Sequence, residues 1–282
     1  MESNSASIGV STGAQTLSLS PSETYTGSFD IINTSHSNSI KYEVLVAPYS
    51  VNDITYSANF TDYDDYNQIV DWISLDETSG ELGKSERKTI NFKIEVPENA
   101  PGGGQYASFL VRMVYDESEK ENLSLSSKSQ VASLLYASVA GETVKTAEVL
   151  ENNINFINLD RPIFFSSVIE NTGNIHLSAN YVFRVFPLFS NEELFSNEDN
   201  PSSSTLLPET VYYSEKTWGE TPKLGIFRVV QEISVADAES VREQVVFVCP
   251  TWFLFLCLLF IFSMILWFVT RIREHKNIIK EF

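Results

Sequence analysis

Between Gln244 and Thr270 the chain carries no charged residue. Trp252 to Val269 reads WFLFLCLLFIFSMILWFV, with Ser263 the lone polar member. Pro250 to Thr270 is 21 residues, about 31 Å as an α-helix, against a bilayer core of about 30 Å. Pro250 suits a first helical turn. Trp252 and Trp267 lie near the two ends, where indoles favour the membrane interface. Residues 249–271 are therefore predicted to be a single transmembrane helix, in contact with lipid over 250–271. The body must then fold from what precedes it.

Flanking charge orients the helix. Residues 271–282 hold Arg271, Arg273, Lys276 and Lys280, whereas the 15 residues before Pro250 hold only Arg242. The positive-inside rule puts the basic tail, 272–282, in the cytoplasm and the body outside. The opening residues MESNSASIGV have neither a basic n-region nor an apolar h-region, so they are not a signal peptide. The expectation is an exported body whose signal was removed, with a tail-anchored cytoplasmic body as the alternative.

The formal net charge is −18. Counted with Glu274 and Glu281, the stretch 271–282 is +2, so the remainder carries −20. Such a body is a poor match for phosphate backbones, and no nucleic-acid partner is expected. The only cysteines, Cys249 and Cys257, fall in or beside the apolar run, which excludes a disulfide framework or a Cys-based zinc site in the body.

The body reads as β structure. Ile90, Phe92, Ile94 and Val96 alternate with Asn91, Lys93 and Glu95, so the first set points inward and the second outward. Ile40, Tyr42, Val44 and Val46 repeat the pattern. Further strands are predicted at 15–19, 24–33, 69–75, 105–115 and 131–139. In the second half they fall at 143–150, 163–171, 176–186, 210–214, 225–233 and 241–248. Turn signals separate them: Ser20-Pro21-Ser22, Asn33-Thr34-Ser35, Ser79-Gly80, Pro97 to Gly104 and Asn171 to Asn174. The polar stretches 116–129 and 191–204 read as loops. No helical period of useful length precedes Pro250. The fold expected is all-β: a flexible N-terminus (1–13), an immunoglobulin-like sandwich (14–141), a second one (142–248), then the helix.

Few motifs carry chemistry. Gly9-Val10-Ser11-Thr12-Gly13 matches a nucleophile elbow but lacks the buried strand and helix that such a turn needs. Gly102 to Ala107 fits a dinucleotide fingerprint, yet a strand rather than a helix follows, so the glycines are read as a turn. The run Asp62 to Asn67 is acidic enough to consider calcium, but no glycine lies between Gly27 and Gly80 to supply the sharp bend. His36, His176 and His275 have no metal-ligand spacing. Asn33, Asn59 and Asn122 begin glycosylation sequons. No catalytic residue, cofactor, metal or small-molecule substrate is predicted.

The order of elements resembles the bacterial WxL-interacting protein family. The matching segments are Leu19-Ser20-Pro21-Ser22-Glu23-Thr24, Phe29 to Ser35, Ala47-Pro48-Tyr49, Trp72-Ile73, Val96-Pro97 leading to Gly103-Gly104-Gln105-Tyr106-Ala107, and Ile169 to Asn174. The resemblance implies a peptidoglycan-binding immunoglobulin-like domain, a second such domain, a membrane anchor and a basic tail.

The function expected is a non-enzymatic binding or scaffold protein of the cell surface, holding peptidoglycan or another surface protein. A tethered carboxylate hydrolase and a chaperone-like module that pairs edge strands are the alternatives. Two aromatic surfaces are candidates for the partner: Tyr63, Asp64 and Tyr66 in the acidic loop, and Tyr212, Tyr213 and Trp218 in the second domain. A protein partner would carry a basic patch, with association slowed by salt.

Overall fold

The computed structural model describes residues 7–52, 55–114, 130–159, 162–220 and 222–280, with backbone alone over 273–280. The body is built of strands, as expected, and the chain ends in one long helix. It divides into two compact units. The first holds residues 1–148, 170–178 and 205–212, and the second holds 149–169, 179–204 and 213–282.

The strands of residues 7–148 are β1 (Ile8–Val10), β2 (Ala14–Leu19), β3 (Thr24–Asn33), β4 (Ile40–Pro48), β5 (Ser50–Val51), β6 (Ala58–Asn59), β7 (Ile73–Leu75), β8 (Ser79–Leu82), β9 (Arg87–Glu95), β10 (Gly103–Val114), β11 (Gln130–Val139) and the start of β12 (Ala147–Ile154). Two sheets, ordered β1-β3-β9-β7 and β2-β11-β10-β4-β8, form a sandwich. Their inner faces meet through Phe29 and Phe92, whose ring centroids each lie 4.8 Å from that of Phe109. The alternation read in β9 holds: Ile90, Phe92, Ile94 and Val96 are buried, and Asn91, Lys93 and Glu95 are exposed. Trp72 packs half-buried against the same core.

Three local readings are corrected. Residues 69–75 are not one strand: Asp65–Trp72 is a 3-10 helix, and only Ile73–Leu75 is extended. The apolar run Ile69, Val70, Trp72, Ile73 imitates a buried strand, but Asp64 caps a helical turn, accepting from the Tyr66 N–H at 2.8 Å. Ser79-Gly80 lies within β8 rather than in a turn, paired with Tyr42 and Glu43 of β4. Within the expected flexible N-terminus, Ile8–Val10 pairs with Ile31–Asn33 of β3, because Ile8 is buried in the core. The strand end at Tyr115 and the loop over 116–129 lie outside the described residues.

At Gly103 φ is +120°, and a Cβ would meet the Asn174 carbonyl oxygen at 2.7 Å. Here glycine is required by both conformation and close approach.

The remaining strands are β13 (Ile157–Leu159), β14 (Ile163–Asn171), β15 (Leu177–Pro187), β16 (Phe195–Ser196), β17 (Ser202–Leu206), β18 (Val211–Trp218), β19 (Gly225–Val235) and β20 (Ala238–Cys249). They form one sheet of order β12-β14-β18 and another of order β13-β20-β19-β15-β16, in which β17 also pairs with β15. Phe165 on β14 and Phe183 on β15 pack with ring centroids 4.3 Å apart, joining the two layers. The final helix, α1 (Thr251–Lys280), follows β20 after Pro250. Its segment Thr251–Ile272 is 22 residues long, with mean hydropathy 2.7, long and apolar enough to cross a membrane. The helix runs on through the basic residues instead of ending at Arg271.

Candidate functional site

A cavity of about 270 Å³ in the first unit is lined by Tyr49, Asp62, Asp64, Tyr66, Tyr106 and Glu209, with Leu207, Pro208 and Thr210 completing one wall. Its floor begins with the 3-10 helix. Asn67, fully buried, donates to the carbonyls of Tyr49 at 3.1 Å and Tyr106 at 2.8 Å. Gln105 accepts from the Ile69 N–H at 3.1 Å and donates to the Asp65 carbonyl at 2.9 Å. These four bonds fix the helix against β4 and β10, and so aim the loop before it. Strand β10 is buried on both faces, which explains why Tyr106, on the face away from Phe109, is enclosed.

The aromatic wall is a connected cluster. The Tyr106 ring lies 5.8 Å from Tyr136 and 5.7 Å from His176, and Tyr49 lies 5.6 Å from Tyr136, all edge-on. Such edge-to-face pairs are each worth about 0.5–1.5 kcal/mol beyond burial. Tyr49 and Tyr136 share a hydroxyl hydrogen bond of 3.1 Å. Burial raises the Tyr49 and Tyr106 phenols far above their ordinary value and keeps them neutral. Burial, then the nearby Lys145 charge, lowers His176 below 6.5.

The polar side is acidic. Tyr66 donates to Glu209 at 2.9 Å. Burial, followed by that bond and the surrounding carboxylates, pushes its phenol up to about 12. Asp62 accepts from Asn59 at 2.6 Å and Thr61 at 3.2 Å. Burial raises the Asp64 carboxyl above 3.8, as do the charges of Asp65, Glu209 and Asp62; the Tyr66 N–H opposes them. Among the described residues, no Lys, Arg or His forms an ion pair with Asp62, Asp64 or Glu209. The cavity therefore presents unneutralised carboxylate oxygens beside tyrosine faces. Both features favour a cation, through charge-assisted hydrogen bonds and cation–π contact. Among the described residues, no three His, Cys, Asp or Glu side chains gather as a metal site.

The structure brings Asp64 and Tyr66 into this cavity but leaves Tyr63 beside it, 52% exposed and donating to Asp71 at 2.8 Å. Partial burial and that bond push the Tyr63 phenol up to about 12. The other aromatic group does not form one surface. Tyr212 packs edge-on against Tyr56 at 4.6 Å. Tyr213 is exposed, and Trp218 is only 6% exposed, stacked on Phe195 at 5.3 Å. Successive strand residues face opposite ways, so Tyr212 and Tyr213 cannot share a face, and Trp218 serves as core. Trp252, Trp267 and Arg271 are exposed on α1; the side chain of Arg273 lies outside the described residues.

Sequence reasoning missed Glu209, Tyr49, Tyr106 and Tyr56. Tyr56 anchors the 205–212 segment, its hydroxyl accepting from the Leu207 N–H at 2.8 Å. The sole local clue was polar residues amid apolar ones, as at Pro208-Glu209-Thr210. A larger hollow of about 520 Å³ lies along β3, β7 and β9, lined by Thr26, Ser28, Asp76, Asn91 and Lys93. There Asn91 already satisfies both Asp76 oxygens, at 2.9 and 2.6 Å, leaving less unmatched chemistry. The sequon at Asn33 is also closed to a glycan: the side chain is fully buried and bonded to the carbonyls of Asn38 and Gly83, each at 2.8 Å.

No family model and no curated protein matches the chain. Among solved structures it is similar to the class 5 fimbriae chaperone CfaA, at 13% identity and TM-score 0.40, over 84% of this chain and 98% of that one. It is similar also to the YadV chaperone, at 10% identity and TM-score 0.41, over 83% and 99%. A third is a PapD-like domain of human CEP192, at 14% identity and TM-score 0.34, over 50% and 91%.

Proposed function

We propose that the protein is a membrane-anchored binding module of the cell surface. Its β-sandwich body holds a partner without turnover, and α1 crosses the bilayer with the basic tail inside. The observation that carries this reading is the joining of parts: a 22-residue helical segment, largely apolar and largely exposed, follows the last strand of a β-sandwich body after Pro250. Flanking charge supports the orientation, and protease added to intact cells should digest the body and spare the tail. The order of elements supports membership of the WxL-interacting family, and with it a partner in peptidoglycan or an associated surface protein. The carboxylate–tyrosine cavity is the proposed point of contact, taking an ammonium or guanidinium group of that partner.

The test is binding of the full-length protein in detergent to purified cell wall and to exported proteins of the same source. Asp64→Asn with Glu209→Gln should weaken binding at least tenfold, and high salt should weaken binding to the unaltered protein. A cation prefers ionised Asp64. Affinity should therefore hold above the raised Asp64 pKa and fall as acidification passes through it, a window lying above 3.8. Binding indifferent to both substitutions would remove the cavity from the reading. Turnover of a cell-wall glycan that Asp64→Asn abolishes would replace binding with hydrolysis.

A further inference from the structure

In the second unit, apolar exposure gathers at one end of a sheet. Strand β20 runs toward α1, and its last residues are Val245-Val246-Phe247-Val248-Cys249. Val246 and Val248 are buried, filling the inner face. On the outer face Phe247 is paired with Ile157 of β13 on one side and Ile226 of β19 on the other. Paired residues project from the same face of a sheet. Ile157 is 52% exposed, and Ile226 is exposed as well.

The connections at this end continue the surface. Phe156 precedes β13 and is 55% exposed. Leu224 precedes Gly225, which pairs with Val248, and is exposed. Beyond β15, the Leu188 N–H donates to the Ile226 carbonyl at 3.2 Å, and the next residue, Phe189, is 97% exposed. Leu159, paired with Cys249, adds to the same rim.

The composition changes further from the helix. Arg228, paired with Val245, lies over the Phe186 ring at 4.2 Å and 3.6 Å from Glu243. Beyond it the face carries Glu243 and Glu232, with Val241 alone as an exposed apolar residue, paired with Glu232. The order from α1 outward is thus a cluster of apolar residues, then arginine on an aromatic ring, then two acids around a single valine. This matches the sequence of environments from acyl chain through headgroup to water. A contiguous apolar patch of this kind needs a cover, and the apolar surface that follows it directly in the chain is α1, which begins two residues past the end of β20.

We infer that this end of the second sandwich rests on the bilayer, with Phe156, Ile157, Leu159, Phe189, Leu224 and Ile226 in the interfacial layer. The inference rests on the reading of α1 as a membrane anchor. It makes the second sandwich a foot on the lipid surface rather than a domain swinging freely on the helix.

The test uses full-length protein in vesicles of phosphatidylcholine and phosphatidylglycerol, with and without bromine-labelled acyl chains. Cys257→Ala removes one native thiol, and Cys249, buried, is retained. A bimane fluorophore is attached at one added cysteine at a time: Phe156→Cys, Phe189→Cys, Val241→Cys or Phe260→Cys. Brominated lipid should quench the probes at 156 and 189 several-fold more than the probe at 241, which lies on β20 far from its helix end. The probe at 260, within α1, should be quenched most. Quenching at 260, with 156 and 189 no more affected than 241, would overturn the foot and leave the anchor standing. An unquenched probe at 260 would overturn the anchor and the foot together. Probes at 156 and 189 screened from brominated lipid and from aqueous iodide alike would place another protein chain on the patch, and would overturn the inference.

Discussion

Strands β9 and β20 have the same two-residue period and opposite fates. In β9 every inward residue from Ile90 to Ile94 is apolar and buried, and every outward one is polar. In β20 no such division holds: Ser240, Arg242 and Gln244 share the face of buried Val246 and Val248, outward Val241 is exposed, and from Val245 five apolar residues run in succession on both faces. A sheet face turned to water cannot keep such a run without exposing it. The difference teaches that the first sandwich is finished by its own core, whereas the second is finished at one end by whatever surrounds α1.

The largest expected effect tests the first half of that contrast. Phe92 is 2% exposed and packs on Phe109, so Phe92→Ala should cost about 3–5 kcal/mol in denaturant unfolding of the detergent-solubilised protein. A cost under about 1 kcal/mol would mean that this core is not what holds the sandwich together.

A middle-sized effect tests a turn that recurs along the chain. Asn33 and Asn171 each end a strand and close the turn after it. Asn33 accepts from the Ser35 N–H at 2.9 Å, and Asn171 from the Gly173 N–H at 3.0 Å. Each also donates to a carbonyl across the turn and to one distant in sequence: Asn33 to Asn38 and Gly83, with a longer contact to Leu82, and Asn171 to Ile175 and Leu206. Asn33→Ala and Asn171→Ala should each cost about 1–3 kcal/mol, because buried groups lose their partners. Unequal costs would show that the repeated turn is a likeness of shape only.

The smallest effect sharpens the second half. Phe189→Ala should change unfolding stability in detergent by less than about 0.5 kcal/mol, since its ring touches solvent and not core. A loss comparable to that of Phe92→Ala would mean that the ring is packed, and the contrast between the two sandwiches would fail.

The alternation in β9, the turn residues at Asn33 and Asn171, and the apolar run after Pro250 were legible because each is a local pattern. Strand period, turn chemistry and helix length are settled by neighbours in sequence. The 3-10 helix was not legible, since Ile69 to Ile73 suits a buried strand equally well. Its choice depends on Asp64 as a cap and on the distant side chain of Gln105. The acidic loop announced Asp64 and Tyr66 as candidates, but the other side of their cavity comes from Tyr49, Tyr106 and Glu209. Glu209 lies 143 positions from Tyr66.

Local spacing alone thus determined an all-β body, its main inward and outward faces, and a helix long enough to cross a membrane. Tertiary structure decided which carboxylates share a cavity, and that Trp218 is buried. It also gathered Ile157, Ile226 and Phe247 onto one rim. Register and long-range pairing are set by the packing of whole sheets, and no window of sequence contains the energy that selects them.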